Sequence, residues 1–305
     1  MLQRDAFIEE ITKKLEQDKN IFFLSADFGA AALDILRERF PKNFLHCGIS
    51  EQAMLDIASG LALDGNKVFV YAMAPFLSLR AMEQAKCGAG LMNLPICLIS
   101  VGVGIGYADA GPTHYSNEDF ACFRAIVGSS IYTPADVNTT KLIAGEMLES
   151  PKFSYVRLDR EVLPNISPEI NISEYKKGFK IHGQDANNKI VLISHGKMLH
   201  KCLEIYNKEP KKYICVDIFR SKPFPKDLSK TIANCKGVIA VDEQSPSGNL
   251  SSCIFEGFSE QNYFPKIISK SLPECYLFEN GGREYLLNKF GLSNYDIIEA
   301  TKKII

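Results

Sequence analysis

The sequence predicts an α/β protein of two domains, each a mostly parallel sheet with helices on both faces. Its 305 residues exceed what one compact core usually organises. Short apolar runs alternate with longer amphipathic segments, and strand, helix, strand in that order implies parallel pairing through crossover helices. One polar, weakly periodic stretch at 165–188 interrupts the alternation and reads as a linker, leaving domains at 1–164 and 189–305.

In chain order, MLQRDAFIEEITKKLEQ has the charge and apolar alternation of an amphipathic helix, not of a signal peptide or a membrane span. Strands are expected at 21–25, 68–71, 96–101 and 153–157, and helical period fills 50–63, 77–87, 118–126 and 137–148. After the polar stretch the pattern resumes, with strands at 189–194, 213–218 and 237–241 and helices at 198–206, 249–258 and 294–303. The formal net charge of -1 argues against a nucleic-acid surface or a polybasic membrane anchor. Nine cysteines without a C-x-x-C pair indicate neither a zinc site nor a disulfide framework, and reduced thiols suit a cytoplasmic chain.

GVGIG at 102–106 follows a strand as a dinucleotide loop would, but YADAGPT at 107–113 is turn-like where a helix should begin. What the loop offers is backbone able to approach a ligand at the carboxyl end of a strand. It leads into His114.

Two segments carry the chemistry. In HCGISEQAMLDIASGLALDG (46–65), Ser50 is a good N-cap and Glu51 a first-turn acid on the favourable end of the helix dipole. The helix that follows is apolar or small nearly all round, so Glu51 stands at a buried end, where a desolvated carboxyl becomes a neutral hydrogen-bond donor. The second, VFVYAMAPFLSLRAMEQAK (68–86), runs from a strand through a loop bearing Phe76 into a helix.

GISEQAM at 48–54, Gly60-Leu61-Ala62 and Phe76 with Arg80, Ala81 and Glu83 together resemble the pyrimidine domain of transketolases and deoxyxylulose-phosphate synthases. The match continues through GPTH at 111–114, Glu118 to Ile126, TPAD at 133–136 and VRLDR at 156–160, while SADF at 25–28 is similar to the first strand and the acid after it. VDEQSPSGNL at 241–250 and FGLSNYDIIEATKKII at 290–305 are similar to the family's small C-terminal domain.

The resemblance implies thiamine diphosphate as cofactor. Glu51 matches the glutamate that hydrogen-bonds the aminopyrimidine ring, Phe76 the aromatic that stacks on it, and Met73 and Leu79 further pocket positions; Asp27 matches an acid near the subunit boundary. His114 matches a substrate-facing histidine suited to proton transfer. Arg160 matches an arginine that clamps a substrate phosphate by paired donors, and Asp109 lies near a family aspartate of the substrate loop. The family's G-D-G motif, which holds magnesium and the diphosphate, does not occur here, so the resemblance implies a partner subunit carrying that half and the Mg2+ ligands, in a heterotetramer. Without the partner, a symmetric homodimer is expected. Gly102 stands where transketolases have a histidine, their loop aspartate has become Ala110 or is shifted to Asp109, and Ala31 stands where they have a serine, which points to a sugar other than the usual pentose and hexose phosphates. The beta subunit of a 2-oxoacid dehydrogenase, a deoxyxylulose-phosphate-synthase-like enzyme and a non-catalytic regulatory or scaffold homologue remain alternatives.

Overall fold

The computed structural model describes residues 1–26 and 31–304. Among these, twelve strands are β1 (Ile21–Ser25), β2 (Phe44–His46), β3 (Lys67–Met73), β4 (Ile96–Val101), β5 (Ser130–Tyr132), β6 (Ser154–Leu158), β7 (Lys180–His182), β8 (Ile190–Ser194), β9 (Tyr213–Asp217), β10 (Arg220–Lys222), β11 (Gly237–Val241) and β12 (Ile267–Lys270). They form a seven-stranded sheet in the order β10-β5-β6-β4-β3-β1-β2 and a five-stranded sheet in the order β12-β11-β8-β9-β7. Pairing is parallel except at the edges, where β10 meets β5 and β7 meets β9 in antiparallel fashion.

Both faces of each sheet are covered, as the near-continuous apolar strands require. Along β3, Val68 and Val70 pack with Met54, Leu55 and Ala58 of helix Glu51–Leu63. The alternate residues Phe69 and Tyr71 pack on the other face with Phe7 and Ile11 of helix Gln3–Leu15, the period-two division expected of a strand. In the second sheet, Leu192, Cys215 and Ile239 face Met198 and Leu199, while Val191, Ile214 and Val238 face Leu250, Ile254 and Phe258. All nine cysteines are free thiols.

Three local expectations change. The polar stretch 165–188 holds helix Ile172–Lys177, closed by an Asn171/Glu174 capping box and a left-handed Gly178, and then the edge strand β7. Ser50 occupies the N-cap position without capping: the turn at Gly48 (φ 67°) brings the Cys47 carbonyl within reach, and the Ser50 hydroxyl donates to it instead. The span 77–87 is not one regular helix. π-helical turns at Phe76–Arg80 and Ala85–Gly90 flank a short α turn, and the buried Ser78 hydroxyl donates back to the Ala74 carbonyl at 2.7 Å.

In the first sheet β1 is flanked by β2 and β3, so the strand order reverses between β1 and β3. Such a switch point opens a crevice at the carboxyl ends of the strands. Glu51 follows β2, Phe76 follows β3, residues 102–116 follow β4 and Arg160 follows β6. All therefore lie at that edge.

Candidate active site

Glu51 opens its helix and is 2% exposed, beneath the guanidinium of Arg80, whose Nη1 donates to Oε2 at 2.6 Å. The carboxyl at this buried helix end is thus paired, because the π-helical turn carries the Arg80 cation onto it. The same guanidinium lies 4.4 Å from the centroid of Phe76, a cation–π distance. Phe76 meets His114 edge-on, with centroids 5.4 Å apart and planes at 76°.

From His114 the contacts continue outward. Its Nδ1 is 2.9 Å from the Thr113 hydroxyl, and its ring centroid is 6.5 Å from that of Tyr107. The Arg160 guanidinium lies 4.4 Å from the Tyr107 ring and pairs through both terminal nitrogens with the Asp109 carboxylate. That hydrogen bond holds Asp109 below the usual carboxylate range and raises Arg160. Glu51, Phe76, His114, Arg160 and Asp109 are therefore joined in one continuous chain of contacts, with Arg80 and Tyr107 as links to which the sequence reading gave no role.

Met73 ends β3, half-buried, and Leu79 is 49% exposed on the turn between Phe76 and Arg80. Asp27 lies outside the described residues. Gly102 has a local explanation: with φ at 84°, a Cβ there would fall 2.0 Å from the Tyr107 ring, so the tyrosine fills the space a side chain at this position would need.

Behind the chain of contacts sits a buried polar layer. Arg157 donates to both oxygens of Asp119, at 2.7 and 3.1 Å, and to the Thr133 hydroxyl at 3.1 Å, while the Tyr155 hydroxyl donates to Asp119. His195, pressed against Arg157, is held well below its ordinary value first by burial and then by that positive charge. Arg283 of the second half reaches back to Asp159, next to Arg160. A guanidinium paired at both ends keeps these carboxylates satisfied in a dry setting.

Such an arrangement can hold a planar nitrogen heterocycle, with a carboxyl for a ring nitrogen and an aromatic face for stacking. It also offers an imidazole for proton transfer and an arginine–aspartate pair for a polar chain.

A family model described as "Transketolase, pyrimidine binding domain" matches residues 1–165. The chain is 28% identical to one subunit of the apulose-4-phosphate transketolase of Phocaeicola vulgatus, over 99% of this chain and 97% of that protein. It is 29% identical to transketolase-like protein 1 of Bos taurus over 89% of this chain, but spans only 46% of that protein, about half its length. Among solved structures, one titled "Split gene transketolase, inactive beta4 tetramer" superposes with a TM-score of 0.85 at 24% identity, covering 100% of this chain and 98% of that one.

Proposed function

The chain belongs to the family of the transketolase pyrimidine-binding domain, and on that premise we propose that it is one subunit of a split transketolase, with a site completed by a second subunit. Residues 1–164 form its pyrimidine-binding unit and residues 189–305 its C-terminal unit. The observation that carries this reading is Glu51: a carboxyl 2% exposed at the head of an apolar helix, one arginine away from a stacking phenylalanine.

Thiamine diphosphate, when bound, would supply a nucleophilic carbon that takes a two-carbon ketol unit from one sugar and releases it to another. The residues of this chain fit its pyrimidine end. Glu51 holds a ring nitrogen through the oxygen that Arg80 leaves free, Phe76 stacks on the ring, and Met73 and Leu79 close the sides. His114 moves a proton to or from a substrate hydroxyl. Arg160 and Asp109 bind the far end of the sugar, where a phosphate would take the place Asp109 holds on the guanidinium. The relative named for apulose-4-phosphate supports a phosphorylated sugar.

The oxygen ligands for Mg2+ and the diphosphate belong to the second subunit. Ile49, 84% exposed, lies two residues before Glu51 and Leu79, 49% exposed, three after Phe76, and this apolar rim is what the partner covers in a heterotetramer of two copies of each chain. Alone, the chain self-associates, as the split-gene transketolase beta4 tetramer does. No helix among the described residues is long and apolar enough to cross a membrane, and a cytoplasmic location suits the assembly.

Glu51→Gln tests the role of the carboxyl. The assembled complex should still bind thiamine diphosphate, but exchange of the thiazolium carbon proton should slow by about a hundredfold or more, because an amide cannot pass the proton. Undiminished exchange removes Glu51 from the chemistry.

A further inference from the structure

The loop after β4 carries Asp109 and His114 at its tip, and its two legs are tied together at the root. The Gly104 N–H donates to the Ser116 carbonyl at 3.1 Å and the Ser116 N–H donates back at 2.8 Å. The tip, residues 109–114, is half-buried to exposed and made mostly of turns.

Both legs are also gripped from the second half of the chain, by one turn at the carboxyl end of β11. The Ile105 N–H donates to Glu243 Oε2 at 3.3 Å, Gln244 Nε2 donates to the Ser116 carbonyl at 3.0 Å, and the Ser245 N–H donates to the Asn117 carbonyl at 2.9 Å. The approach is as close as glycine permits: Gly104 has φ 61°, and a Cβ on it would lie 2.3 Å from Glu243 Oε2. Glu243 is fixed in its turn by Arg283, whose Nη2 donates to Oε2 at 2.8 Å. The same guanidinium makes two 2.8 Å bonds to Asp159, the residue before Arg160. One turn thus touches the root of His114 directly and the root of Arg160 through a single arginine.

We propose that Glu243, Gln244 and Ser245 are positioning residues: they fix the loop root so that His114 stands against Phe76 and Arg160 against Asp109. This gives the C-terminal unit a part in the site without touching substrate. Small displacements at such a root matter, since a misplacement of about 1 Å at a reacting group can cost about a hundredfold in rate. The kinetic half of the inference rests on the transketolase reading; the structural half does not.

The test uses the full chain, alone and assembled with its partner. Gln244→Met removes the donor to Ser116 while keeping length and burial, and Glu243→Gln keeps the shape while weakening the hold on Arg283. Amide hydrogen exchange should speed up about tenfold or more over 102–117 and stay unchanged in β1, β3 and β8. In the complex, kcat should fall about tenfold while the thiamine diphosphate dissociation constant stays within about twofold. Unchanged loop exchange in both variants overturns the clamp. Faster loop exchange with unaltered kcat and KM overturns the positioning role, and faster exchange throughout the chain with weakened cofactor binding reduces the turn to a structural one. If the wild-type complex shows no ketol transfer, the functional reading falls and loop exchange alone decides the clamp.

Discussion

Replacing Arg283 with Met should cost about 3–5 kcal/mol of stability, the penalty for removing one partner of a buried ionic cluster. Arg283 is 6% exposed, Asp159 3% and Glu243 6%, and five charge-assisted bonds of 2.8 to 3.1 Å join the guanidinium to these two carboxylates. Methionine fills much of the volume but leaves both carboxylates facing each other with little water. Lys197, which pairs with Glu161 at 2.7 Å and also lies within electrostatic reach of Glu243, is too committed to replace the lost charge. The neutral triple variant, Arg283→Met with Asp159→Asn and Glu243→Gln, should recover most of the loss, since well-packed neutral groups can match a buried ion cluster. Urea unfolding followed by circular dichroism measures both; the chain has no tryptophan to report by fluorescence. A single variant within about 1 kcal/mol of wild type, a loss no larger than a surface pair gives, would refute the claim that the cluster holds the two halves together.

His182 gives a pH-dependent test. Burial, then the nearby Lys180 charge, pushes it down to about 4 from an ordinary value near 6.5. Between those values the unfolded chain takes up a proton that the folded chain refuses, so stability falls as pH drops from 6.5 to 4, by about 3 kcal/mol for this imidazole. His182→Gln should flatten that limb relative to wild type in urea titrations at pH 7 and pH 4.5; parallel curves would contradict it. The buried Asp217 carboxyl, raised well above its ordinary value by burial, acts in the opposite sense and cancels in the comparison. Arg80→Met should weaken thiamine diphosphate binding by the complex about fivefold, because Glu51 and Phe76 must then be ordered on binding; tighter binding would mean that Arg80 occupies the place of the cofactor. Arg160→Lys should raise KM for phosphorylated sugars about tenfold more than for unphosphorylated ones, since paired donation is lost while charge remains. Equal losses would make its bond to Asp109 a structural one.

The elements legible in the sequence are those whose residues carry the whole signal. β1, β4 and β11 have their expected bounds because buried strands read as unbroken apolar runs. β7 and β10 were not legible: Lys-Ile-His and Arg-Ser-Lys look like loop, yet their lysines serve tertiary partners. Lys180 donates to the carbonyls of Pro168 and Glu169, and Lys222 to those of Arg124 and Ile126. Charged edge strands of this kind are common and hard to see from pattern. The helix in 165–188 did leave a signal, the Asn171/Glu174 spacing of a capping box.

The gathering of Glu51, Phe76 and His114 was implied by the family resemblance, and in the structure they follow β2, β3 and β4. The hold of Arg80 on Glu51 was not implied, because it depends on a π-helical turn that periodicity cannot reveal. Nor was the reach of Arg283 to Asp159, which joins residues 124 positions apart.

The most direct measurement is a titration of thiamine diphosphate and Mg2+ into the purified chain, and into the chain mixed with a candidate subunit carrying the diphosphate half, with ketol transfer followed in parallel. A split site requires cofactor binding and turnover in the mixture and no turnover by the chain alone. Turnover of a sugar phosphate by the isolated chain at the rate of the mixture would show that it holds a complete site, and would contradict the assignment of half the catalytic machinery to a partner.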